Sequence, residues 1–333
     1  MLNKKSLINR TLVGIAIFIL IFGMIALDIF LPDYQNAKSQ VISGRAINAV
    51  IISVIIWLAV IEMRRAIGRE RIPDQFSWLV WLYGIVLGPA YSLFGYIGII
   101  FFTLIVFACA SVTALFTNRV DSLMYVGYML VYPGMFLAAL LYINRCASTV
   151  PITNELMQQY LEADIWQYFG LTRSSAQLLP FNAIGLAFVF AVSSFTDMFA
   201  YFVGGLFGKH KLCPEISPKK TVEGAIGGVV GGLLGSLLVF LLFDLFHVFG
   251  PQFGLLYEGL ELHPASVAVI YVAIGLFGSA MTQIGDLLAS LVKRHCGIKD
   301  YSRILGEHGG IMDRFDGIML NAVFVAFTFM FII

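Results

Sequence analysis

Apolar runs about twenty residues long follow one another along this chain, and they leave little choice of fold. They fall near 11–31, 46–62, 76–95, 97–116, 122–143, 181–204, 223–248, 265–290 and 314–333. A helix rises about 1.5 Å per residue, so roughly 20 apolar residues cross the hydrocarbon of a bilayer. The runs predict an all-α integral membrane protein with about nine transmembrane helices and no room for a separate soluble domain. Composition agrees: 59% of the residues are hydrophobic and only 12% charged, where soluble domains carry about 25% charge.

The loops predict an orientation. With the N-terminus in the cytoplasm, 17 of the 21 lysines and arginines fall on the cytoplasmic side, and only Lys38, Arg45, Arg145 and Arg173 lie opposite. Basic loops are retained inside, so the C-terminus is expected outside. The opening MLNKKSLINR and its apolar run resemble a secretory signal, but the run is too long and no A-x-A-like site follows. It reads as a retained first span. A net charge of +1 gives no reason to expect a nucleic-acid partner. The cysteines Cys109, Cys146, Cys213 and Cys296 form no CxxC pair, and His210 with Cys213 or His295 with Cys296 has poor spacing for zinc.

Two units are expected: an N-terminal transmembrane bundle over 1–180, with an extracytoplasmic segment near 144–180, and a C-terminal catalytic transmembrane domain over 181–333. The 144–180 segment contains TNELMQQYLEADIWQYFG, whose apolar residues recur at helical spacing. It suits a helix lying in the interface or a surface helix packed over the bundle. The seventh run, EGAIGGVVGGLLG, sets Gly227, Gly231 and Gly235 in one row and Gly224, Gly228 and Gly232 in another. Such rows let helices approach closely in lipid, within one subunit, at a dimer face or around a substrate.

Charge inside lipid needs a reason, since a carboxylate at mid-bilayer costs about 2.5–3.5 kcal/mol. Asp28, Glu62 and Asp244 lie near span ends, where they can reach headgroups or water, and they read as structural. Asp197, in AVSSFTDMFAYFVGG, and Asp286, in MTQIGDLLASLVK, sit further in; each alone suits a polar contact between helices. Asp313 and Asp316 are three apart and share a helix face. The last two spans are antiparallel neighbours, so Asp286, Asp313 and Asp316 reach similar depth. Three converging carboxylates repel one another unless a cation intervenes, and oxygen ligands suit a hard cation such as Mg²⁺. The flanking loops are basic: Lys219 and Lys220 in one, Lys293, Arg294, Lys299 and Arg303 in the other. Cytoplasmic loops are basic anyway, but cations beside such a cluster are how proteins hold phosphoryl groups. His308, Gly309 and Gly310 form a stretch where backbone N–H groups could approach a phosphate. Neither a Walker nor a Rossmann glycine pattern occurs.

Residues Ser290 to Asp316, SLVKRHCGIKDYSRILGEHGGIMDRFD, resemble the C-terminal pattern of phosphatidate cytidylyltransferases, the CDP-diacylglycerol synthases. That pattern is S-x-aliphatic-K-R, four residues, K-D-x-small, two residues, aliphatic-G-x-H-G-G and D-R-x-D. DMFAYFVGGLFGKHKLCPEISPKKTVEG, which includes Ser217, resembles the same family's upstream region. The resemblance covers roughly 183–333. It implies synthesis of CDP-diacylglycerol and pyrophosphate from CTP and phosphatidic acid, with Mg²⁺, K⁺ as a second cation, a homodimer, and a cavity open to cytosol and bilayer.

By position it implies Asp286, Asp313 and Asp316 as metal ligands. Lys219, Lys220, Lys293 and Arg294 are candidates for phosphate contacts, and Ser217, Lys299 and Arg303 for further substrate binding. Arg314 could contact substrate or brace the loop. His308 could meet phosphate or cap the loop, and Asp197 could hold the second cation or orient the basic loop. Length and the lack of a polar extension point to a bacterial inner membrane, with the active site facing the cytoplasm. The alternatives are a CTP-dependent enzyme acting on another lipid phosphate or a polyprenol, and, in a different class, an ion-coupled transporter. A CDP-alcohol phosphotransferase is disfavoured by the lack of a D-G-x-x-A-R run.

Overall fold

The computed structural model describes residues 4–30, 44–146, 148–149, 178–179, 181–250, 253–256, 262–306 and 309–332. Most of the 144–180 segment, and His308, lie outside the described residues. The helices are α1 (Lys4–Phe30), α2 (Gly44–Ile67), α3 (Asp74–Thr117), α4 (Val120–Met129) and α5 (Phe136–Arg145), the last two joined through a π-helical turn. Then come α6 (Phe181–Phe207), α7 (Val222–Phe240), α8 (Pro264–His295) and α9 (Met312–Ile332). Two short antiparallel ribbons complete the described structure: β1 (Ser148–Thr149) with β2 (Leu178–Leu179), and β3 (Lys211–Cys213) with β4 (Ser217–Thr221).

Seven helical spans among the described residues are long and apolar enough to cross a membrane, and α1 adds a shorter apolar stretch, Ile15–Phe30. The architecture is that of an all-α integral membrane protein. Helix α3 runs for 44 residues but is broken at Gly95, whose φ of 61° and ψ of −142° are open to glycine and strained for other residues. The chain doubles back there. The Tyr83 hydroxyl lies 3.2 Å from that of Thr103 and the Tyr83 and Phe102 rings stack at 6.1 Å, whereas 20 residues of straight helix would part them by about 30 Å.

Both glycine rows of α7 are spent inside the subunit. A Cβ on Gly227 would lie 2.5 Å from the Cβ of Val203, one on Gly231 would collide with the Phe195 carbonyl, and one on Gly235 would lie 2.8 Å from the Ala191 carbonyl, all on α6. In the other row, Gly232 abuts Ser279 and Gly275 of α8. Gly231→Leu is expected to destabilise the fold by about 1–3 kcal/mol or more, read as a lower melting temperature in detergent. A row that served only a dimer face would leave the monomer's melting unchanged.

Helices α8 and α9 also touch backbone to backbone. A Cβ on Gly285 would lie 2.6 Å from the Asp316 carbonyl oxygen, and one on Gly317 would lie 2.9 Å from Thr282 Cγ2. This contact sets Asp286 level with Asp316. Just below it, the Asn321 amide donates to the Val189 carbonyl and to Ser193 Oγ, both at 3.0 Å, and Ser193 lies 3.1 Å from Thr282 Oγ1. This polar clasp fixes α6, α8 and α9 together where lipid offers no hydrophobic drive.

Asp28, Glu62 and Asp244 do not use the access to headgroups or water that their places near span ends allow, because all three are buried. Asp244 accepts from the Tyr271 hydroxyl and from the Leu256 N–H at 2.6 Å. Protein donors take the place of water there, as burial of a charge requires.

Candidate active site

Three separate parts of the chain build one polar centre at an end of the α6–α9 bundle. The first is the β3–β4 ribbon, held against the start of α7. Glu223 accepts from the backbone N–H groups of Lys209 at 3.0 Å and His210 at 3.2 Å, and Thr221 caps α7 by accepting from the Gly224 N–H at 3.1 Å. The ribbon presents Lys220, whose Nζ lies 2.6 Å from Asp286 Oδ2. Arg294, at the end of α8, steadies the ribbon by donating to the Ile216 carbonyl at 3.2 Å.

The second and third parts are α8 and the loop that leads into α9. Lys293 Nζ lies 2.9 Å from Asp313 Oδ1 and 3.8 Å from Asp316 Oδ2. Asp313 also accepts on Oδ2 from the backbone N–H groups of Tyr301 at 2.8 Å and Gly310 at 2.9 Å. Its side chain is only 5% exposed. The Tyr301 hydroxyl donates to the Ala289 carbonyl at 3.2 Å, and burial pushes its phenol up.

The adjacent glycines make room for carboxylates. Gly309 adopts φ 81° with a would-be Cβ 2.7 Å from Asp313 Oδ2, and a Cβ on Gly310 would collide with the Glu62 carboxylate.

Asp197, Asp286 and Asp316 lie close enough to act on one another electrostatically, as do Arg314 and Asp197. Beside them is a cavity of about 350 Å³ whose wall includes Asp197, Asp286, Lys219, Lys220, Gly204 and Gly224. A larger cavity, about 1180 Å³, is lined by residues such as Arg71, Arg119, Tyr125 and His295. It contains none of these aspartates and uses the face of α8 turned away from Asp286, so the smaller cavity is the one suited to chemistry.

Among the sequence candidates, Asp197, Asp286, Asp313, Asp316, Lys220 and Lys293 are thus brought together, with Lys219 on the cavity wall. Ser217 is half-buried at the start of β4 opposite Cys213. Lys299 and Arg303 are exposed on the loop before α9. Sequence reasoning missed Glu62, Ser302 and Tyr301. Glu62 left one signal, a carboxylate inside the run IIWLAVIEM, but its partners lie 240 and more residues away.

The donor set fits a hard cation. Asp286, Asp313 and Asp316 offer only oxygen, and two ammonium groups already stand among them, so this centre calls for positive charge. Among the described residues no three His, Cys, Asp or Glu side chains are grouped to hold an ion as they stand; Lys220 meets Asp286, and Lys293 meets Asp313 and Asp316.

Apolar spans converging on a carboxylate–ammonium centre at one end define a polytopic membrane protein. A family model described as the cytidylyltransferase family matches residues 37–332, and the chain belongs to that family. Several similar curated proteins bear the name phosphatidate cytidylyltransferase. That of Staphylococcus saprophyticus is 46% identical over 134 residues, 40% of this chain and 44% of that protein. That of Aquifex aeolicus is 37% identical over 137 residues, 41% of this chain and 43% of that protein. That of Brucella abortus is 36% identical over 159 residues, 46% of this chain and 52% of that protein. The chain spans about half the length of the curated relatives it matches.

Proposed function

We propose that this protein is a phosphatidate cytidylyltransferase that converts CTP and phosphatidic acid to CDP-diacylglycerol and pyrophosphate. The observation that carries this reading is the cavity wall where Lys219, Lys220, Asp197 and Asp286 meet at the end of apolar helices. A soluble nucleotide and a membrane-bound phosphate can meet there, and the matched relatives bear the name of that activity.

The phosphate monoester of the lipid is already ionised at neutral pH, so the chain need supply no strong base. Its oxygen attacks the α-phosphorus of CTP, the bond to the β-phosphate oxygen breaks, and pyrophosphate leaves with the electron pair. The contribution of the protein is positioning and charge neutralisation. Lys219 and Lys220 on the ribbon are placed for the triphosphate, and Lys293 neutralises charge between Asp313 and Asp316. Asp286, Asp313 and Asp316 would hold Mg²⁺, which when bound would supply charge neutralisation and Lewis acidity at the phosphates. A second cation, K⁺, beside Asp197 and a homodimeric assembly follow from the family resemblance.

We also read the two arms of α3 as separate crossings, which with α1 makes nine, with the N-terminus in the cytoplasm and the C-terminus outside. Residues 1–180 then form a supporting bundle and 181–333 the catalytic domain. The basic ends of α2 (Arg64, Arg65) and α8 (Lys293, Arg294) support a cytoplasmic site, in a bacterial inner membrane. The test is an assay of purified protein with CTP and phosphatidic acid. Lipid-linked cytidylate and pyrophosphate are expected in equal amounts, lost in EDTA and restored by Mg²⁺. Product from a polyprenol phosphate but not from phosphatidic acid would overturn the acceptor, and cation uptake without pyrophosphate would overturn the enzyme.

A further inference from the structure

Glu62 belongs to α2, far from the sequence signature, and yet it lies against the loop that leads into α9 and the first turn that carries Asp313. Its Oε1 accepts from Ser302 Oγ at 2.6 Å and from the Ile311 N–H at 3.0 Å, and its Oε2 accepts from the Met312 N–H at 2.8 Å. The side chain is fully buried. Asp313 gathers the neighbouring Gly310 and Tyr301 N–H groups, so two carboxylates satisfy three consecutive amides at the start of α9. Those amides are the orphan donors of a helix N-terminus, where negative charge is favoured.

The anchor on α2 is itself rigid. Two residues on, buried Arg64 donates from Nε to Ser77 Oγ at 2.9 Å and from Nη2 to Asp74 Oδ1 at 3.1 Å. A capping role could be met by any nearby side chain; here it is met by a charged group in the N-terminal bundle, at the residue preceding Asp313.

We propose that Glu62 is the positioning residue of the reaction loop: it fixes the start of α9, and so the placement of Asp313 against Lys293, from outside the catalytic helices. The inference rests on the cytidylyltransferase reading only for its kinetic consequence. Glu62→Gln keeps the shape but turns one acceptor into a donor facing a backbone N–H.

The test compares wild type, Glu62→Gln, Glu62→Asp and the milder Ser302→Ala, each purified in detergent, by hydrogen exchange of the 309–312 amides and by kinetics with CTP and phosphatidic acid. In Glu62→Gln the 309–312 amides are expected to exchange on the order of tenfold faster. Its kcat is expected to fall about 10- to 100-fold, since small misplacements cost rates of that size. KM for CTP should stay within about threefold, because the cavity wall of Lys219, Lys220 and Gly224 includes no residue of α2. Glu62→Asp should recover part of both losses, and Ser302→Ala should show smaller shifts in the same direction. Unchanged exchange in both Glu62→Gln and Ser302→Ala, or a wild-type kcat in Glu62→Gln, overturns the proposal. So does a rise in both KM values matching the fall in kcat. Wild-type protein without cytidylyltransferase activity would refute the activity reading, while the exchange comparison, which needs no substrate, still decides the tether.

Discussion

Asp286→Asn is expected to lower CTP-dependent formation of CDP-diacylglycerol ~10³-fold or more, with the protein still monodisperse in detergent. The substitution removes one unit of charge and little shape. Asp286 is 31% exposed and its carboxylate meets Lys220, while the α8–α9 packing beside it is made by Gly285 and Gly317, so the fold does not depend on the charge. The same change at Asp313 is a less clean probe, since that side chain also holds the Tyr301 and Gly310 amides and an amide nitrogen would face an N–H. Radiolabelled CTP incorporation into lipid measures the effect. More than a tenth of wild-type activity at the same Mg²⁺ concentration would remove Asp286 from the centre.

Lys293→Met is expected to cost both stability and activity. Its side chain is 13% exposed and pairs with the Asp313 side chain, which is 5% exposed, so the substitution strands a buried carboxylate at a cost of about 3–5 kcal/mol. The melting temperature should fall accordingly, and product formation should drop by about 10²-fold or more. The double variant Lys293→Met/Asp313→Asn separates the two effects. It should regain much of the lost stability and none of the activity. Recovery of activity in the double variant would show that the pair serves folding alone.

The helices were legible because lipid imposes a length. Apolar runs of 20 residues marked each span, and the break between the third and fourth runs coincides with the turn at Gly95. The approach of Asp286 to Asp316 was legible too, since an antiparallel pair of helices joined at one end brings those depths together. The glycine rows announced close packing but could not say with what; their partners are residues of α6 and α8. The contact of Lys220 with Asp286 spans 66 residues and depends on how the β3–β4 ribbon folds over the bundle, which no periodicity records. Gly309 and Gly310 suggested open space for a ligand, and in the structure that space faces Asp313 and Glu62. Glu62 itself was visible only as a charge in an apolar run. A local reading placed it near a span end, because its partners lie in the last helix and the loop before it.

That separation has a consequence for how the protein is made. Helix α2 leaves the ribosome long before Ser302, Ile311 and Met312, which follow Glu62 by 240 to 250 residues. At translation rates of about 5–20 residues per second, the carboxylate waits roughly 12–50 s for its partners. During that interval it is an ionisable group near the end of a newly inserted span, with lipid or the insertion machinery as its surroundings. The last helix and the loop before it therefore complete the hydrogen bonding of a carboxylate in the second helix as well as their own.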